Sequence, residues 1–135
     1  MSYVITGLPL AAFQPLFGLT DAELAARNII RMPVTAKPGF PCRITLEDAE
    51  PGETVLLLNY EHQDAQTPYR STHAIFVRET ATETVSVKDA VPACLSGRLL
   101  SVRAFDAAGM MTDADVVEGA DLEPLIARML SLIHI

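Results

Sequence analysis

The polar residues best able to do chemistry gather in one stretch of the sequence. Residues 59–78 hold two histidines, His62 and His73, with Tyr69 and Arg70 between them, and Arg43 stands upstream beside Cys42. Guanidinium forks and a phenol suit a carboxylate or phosphate group, so Arg43, His62, Tyr69, Arg70 and His73 form a candidate pocket for a small anionic molecule. If the flanking segments pair about a loop centred near Thr67, His62 and His73 stand opposite each other, within reach of one ligand. Cys42 is a candidate nucleophile, because a neighbouring cation favours the thiolate and a histidine could take its proton.

Each of these residues has a plainer alternative. Histidines are commonly satisfied structural groups, an isolated cysteine opening a strand is commonly a small buried hydrophobe, and the arginines could pair with Glu61, Asp64 or Glu79. A metal would need a third ligand, Glu61 or Cys42, and the spacing matches no compact metal motif, so neither a metal nor a cofactor is expected. The sequence also lacks a phosphate-cradling glycine loop and a nucleophile elbow.

Binding residues carried on loops need rigid strands beneath them. Residues 55–58, Val-Leu-Leu-Leu, are apolar at every position, which predicts a central strand covered on both faces. Residues 42–46 and 54–60 flank a Pro51-Gly52 turn and predict a hairpin. Residues 73–79 form the next strand, and residues 3–6 and 84–88 short ones. Residues 29–35 suit an edge strand because Pro33 cannot donate to a ladder. Residues 98–105 and 110–117 read as a second hairpin, with Gly109 in its turn. Thr20 and Glu23 match a capping box opening a short helix. Leu122, Leu125, Ile126 and Met129 form the stripe of a last helix, capped by Asp121. Short connections between successive strands predict an α+β fold: a mostly antiparallel sheet with a few short helices packed on it.

The 135 residues, half of them apolar and a fifth charged, suit a single domain spanning residues 1–135. Seventeen acidic against ten basic residues give a formal charge of −7, and the basic residues occur singly, which argues against nucleic acid as a partner. The apolar runs are of strand length, far short of the roughly 20 residues that span a bilayer, so no membrane partner is expected. Two widely separated cysteines, Cys42 and Cys94, are expected to stay reduced in a soluble, cytoplasmic protein.

Three segments carry a family resemblance: Pro38-Gly39-Phe40-Pro41-Cys42-Arg43, Leu58-Asn59-Tyr60-Glu61-His62, and the run from Thr67-Pro68-Tyr69-Arg70 through Ser71-Thr72-His73-Ala74 to Ile75-Phe76-Val77-Arg78-Glu79. With Arg103-Ala104-Phe105-Asp106 and Gly109-Met110-Met111, they resemble the bacterial family catalogued as domain of unknown function 1203, over nearly the whole chain. The resemblance implies no activity. It does imply a further strand after the last helix, bearing a His-x-His-Asn-Ala pattern and a Gly-Cys-Tyr segment that this chain does not carry. Residues 130–135, Leu-Ser-Leu-Ile-His-Ile, also coincide with the translation of a common transposase sequencing adapter, the alternative being an ordinary apolar helix end. The expectation is a fragment truncated at its C-terminus, in which His134 is neither ligand nor catalyst. The sequence-based reading is a module binding a small polar or anionic molecule. The alternatives are a small enzyme using Cys42 or His73 and a structural or partner-binding domain. The oligomeric state has no signature.

Overall fold

The computed structural model describes residues 2–63 and 71–132. Its chain order is β1 (Val4–Thr6), α1 (Asp21–Ala25), β2 (Ile30–Pro33), β3 (Thr54–Gln63), β4 (Ser71–Arg78), β5 (Ser86–Lys88), β6 (Leu99–Phe105), β7 (Met111–Glu118) and α2 (Leu122–Leu132). All named strand pairs are antiparallel: β1 with β5, β2–β3–β4 as a three-stranded sheet, and β6 with β7. With its few short helices the fold is α+β, as the sequence predicts.

The apolar run at residues 55–58 lies in the central strand β3. Leu56 and Leu58 face one core with Phe13, Leu24, Ile29, Ile44, Ile75 and Val77, while Val55 faces a second cluster with Val34 and Ala49. Burial on both faces is why every position in the run is apolar. β2 is the edge strand that its proline predicts, with Pro33 at its last position opposite Thr54. The Thr20 side chain accepts the Glu23 amide, and the Glu23 carboxylate accepts the Thr20 amide, closing the capping box of α1. Leu122, Leu125 and Met129 bury one stripe of α2. Asp121, the expected cap of that helix, lies in a short 3₁₀ turn, residues 119–121, that runs into it. Residues 130–132 continue α2, and residues 133–135, His134 among them, lie outside the described residues.

Two expectations need correction. Residues 42–46 do not form a hairpin with β3; that ladder position belongs to β2. Instead the Leu46 amide bonds the Cys42 carbonyl at 3.1 Å, Leu46 takes φ 57°, and the Cys42 sulfur accepts the Ile44 and Thr45 amides at 3.4 and 3.5 Å. Local side-chain bonding curls the segment, and its backbone meets β4 in a parallel bridge from Cys42 to Phe76. The second correction concerns register: His73 stands opposite Tyr60, not His62. A β-bulge between Glu61 and Gln63 leaves His62 without a ladder partner.

Candidate functional site

Three pieces of main chain converge on an open cleft of about 630 Å³. One wall is β4, contributing His73 and Ala74. Buried Ile75 and Val77 follow at alternate positions, so His73 occupies the same face where β4 runs beyond the core. The second piece is Arg43. Its amide donates to the Phe76 carbonyl at 3.1 Å and its carbonyl accepts the Leu8 amide at 2.7 Å, which fixes the backbone beside β4 while the exposed side chain enters the cleft. The opposite wall is β6, whose Leu99, Ser101, Arg103 and Phe105 recur at the two-residue period of one strand face, with Leu100 also lining the cleft.

The electrostatics of this cleft differ from those of the chain as a whole. Among the described residues its lining includes Arg43, Arg103 and His73 and no carboxylate, on a protein of net charge −7. Other arginines are committed to acidic partners. Arg31 grips Glu79 at 2.7 and 3.0 Å and Asp21 at 2.6 Å, Arg78 holds Glu53 at 2.9 and 2.7 Å, and Arg98 meets Asp48 at 2.7 Å. Arg128 on α2 reaches Asp113 at 3.0 Å and Asp115 at 3.3 Å, two carboxylates of β7, the strand paired with β6. Among the described residues, Arg43 and Arg103 make no ion pair. The Arg78 guanidinium, with the Thr80 hydroxyl and the Glu50 amide, holds the Glu53 carboxyl down to about 2. Burial would raise Glu79, but its bonds from Arg31 and Thr54 prevail and leave it lowered. These pairs brace the sheet and are not free to take a ligand.

Of the five residues singled out by sequence, the cleft brings together Arg43 and His73. His62 lies in β3 at the bulge. Tyr69 and Arg70 lie outside the described residues, as does Asp64. Glu79, one of the expected partners for the loop arginines, is taken by Arg31. Cys42 is 2% exposed, and its sulfur also accepts the Arg78 amide at 3.3 Å, so this side chain ties the curled segment to the end of β4. Cys94 is half-buried, its thiol pushed up by burial and by Asp48, and its Sγ donates to the Leu46 carbonyl at 3.0 Å. Both thiols are unpaired. Among the described residues no three His, Cys, Asp or Glu side chains stand close enough to hold a metal ion, and no helix is long and apolar enough to cross a membrane.

Arg103 was not singled out by sequence, because a lone arginine in an alternating strand reads as a solvated position. The available signal was its parity with Leu99, Ser101 and Phe105.

A family model described as "Protein of unknown function (DUF1203)" matches residues 39–135, leaving the first 38 residues outside the match. No curated protein and no solved structure matches the chain.

Proposed function

We propose, for a chain that belongs to the DUF1203 family and whose family description names no activity, that the cleft between β4 and β6 binds a small anion. The observation that carries this reading is the pair Arg43 and Arg103, both lining one cleft to which no described residue contributes a carboxylate, in a protein of charge −7. Two guanidinium groups brought together without acidic partners repel each other, and an anion between them converts that repulsion into charge-assisted hydrogen bonds. His73 adds a third polar group on the facing wall. A reduced, cytoplasmic setting for a single-domain protein fits this reading and is supported by the unpaired cysteines.

A ligand that binds only the folded chain raises its melting temperature, by an amount set by the ratio of ligand concentration to Kd. Millimolar phosphate is therefore expected to stabilise the native chain and to leave the melting temperature of an Arg43→Gln/Arg103→Gln variant unchanged. Equal stabilisation of both proteins would remove the cleft from the reading. The enzyme alternative now favours His73 over Cys42, since His73 lines the cleft and Cys42 is buried beneath main-chain amides.

A further inference from the structure

The cleft sets hydrocarbon beside its cations: Leu99, Leu100 and Phe105 line it on the strand that carries Arg103. Leu99 is 69% exposed at its wall, among the largest exposures of any apolar side chain described, and Leu100 and Phe105 continue the apolar surface along β6. A large aliphatic side chain held in water at the second arginine's own strand face gains nothing from the fold, because burial is what makes apolar surface favourable. The volume points the same way. About 630 Å³ falls within the 300–1,000 Å³ of sites that enclose organic ligands, and a bare inorganic anion would fill a small part of it.

We infer that the ligand is an amphipathic anion: a carboxylate or phosphate head held by Arg43 and Arg103, joined to an aromatic or branched hydrocarbon body that covers Leu99, Leu100 and Phe105. This rests on the anion-binding reading and narrows it to a ligand class. Period-two alternation on β6 interleaves the two functions, with Leu99 and Phe105 flanking Arg103 on one face. The head fixes orientation, and the body supplies affinity by leaving water.

Calorimetry on the full chain tests this with matched probes, inorganic phosphate against phenyl phosphate and acetate against benzoate. The aryl member of each pair is expected to bind at least about tenfold more tightly, a difference of 1.4 kcal/mol. Comparing the two pairs identifies which head the arginines prefer. Leu99→Thr, a β-branched substitution on an exposed position, is expected to narrow the gap within each pair to about threefold or less. Arg103→Gln is expected to weaken every probe. Aryl anions and their smaller partners, phosphate and acetate, binding equally, with both sensitive to Arg103→Gln, would overturn the amphipathic ligand and leave the anion site standing. Absence of binding by all four probes, or binding indifferent to Arg43→Gln and Arg103→Gln, would overturn the anion site itself. Phenol binding as tightly as phenyl phosphate would overturn the role of the head. Concentration-dependent dimerisation abolished by Leu99→Thr would reassign Leu99 to an interface between copies and overturn the proposal.

Discussion

Arg103 and Glu53 show how two charged residues of one chain come to different uses. Arg103 stands exposed on β6 with no ion-pair partner among the described residues, so replacing it removes an interaction only when a ligand is present. Arg103→Gln should leave the melting temperature of the unliganded chain within about 2 °C and reduce phosphate affinity about tenfold, the loss of one charge-assisted contact of about 1.5 kcal/mol. Melting curves and calorimetry on the same preparation separate the two effects. Glu53 is the opposite case. Its carboxyl is held down to about 2 by Arg78, whereas in the unfolded chain a glutamate titrates near 4.3. A lowered carboxyl contributes stability that is full above the unfolded value and fades as pH falls through the folded one, here between about pH 4.5 and pH 2. Glu53→Gln should therefore cost about 1–2 kcal/mol at pH 7, discounted from the full shift because the pair touches solvent, and should flatten the acid limb of stability. Urea melts at several pH values check this; a cost that persists undiminished at pH 2 would show that the pair does not govern the acid limb.

At the scale of elements, the β6–β7 hairpin is what brings Arg103 and Leu99 to the cleft, and its base is pinned at Gly119. The Gly119 amide donates to the Arg98 carbonyl at 2.8 Å, and a Cβ at this position would lie 1.8 Å from the Leu95 carbonyl oxygen, so no side chain fits without moving backbone. Gly119→Ala should destabilise the chain by about 2 kcal/mol or more and weaken ligand binding as well, because the cleft wall shifts with the hairpin base. Thermal denaturation with parallel calorimetry reads both. Much of this level was legible in sequence. The all-apolar run predicted the centre of the sheet, Thr20 and Glu23 the start of α1, Pro33 an edge strand, and Gly109, at φ 81°, the turn of the second hairpin. Residues 42–46 misled because their β-branched composition is strand-like, while the structure is decided by the Cys42 sulfur and by Leu46 in the left-handed region. The histidine register misled because His73 pairs with Tyr60, two positions from His62, an offset to which the bulge in β3 contributes one residue and which has no signature in the side-chain pattern.

On the scale of the whole molecule, separate sheets and an acidic surface surround a cleft whose lining carries the opposite charge. His73 could be chosen from sequence because it sits in a stretch dense with polar residues, and Arg43 because it stands beside Cys42. Arg103 joins them only through the folding of the hairpin, a long-range contact that local composition does not encode. The unpaired thiols give an independent check on the packing. With Cys42 2% exposed, a thiol reagent should label it only as fast as the native structure opens, and denaturation should release two reactive thiols per chain. The most direct measurement of the central claim is an amide NMR titration with phosphate. The binding account predicts saturable shift changes concentrated at Arg43, at His73 and Ala74, and along β6 from Leu99 to Phe105, and their loss in Arg43→Gln/Arg103→Gln. Saturable changes centred elsewhere, or no saturable change in the native chain, would contradict it.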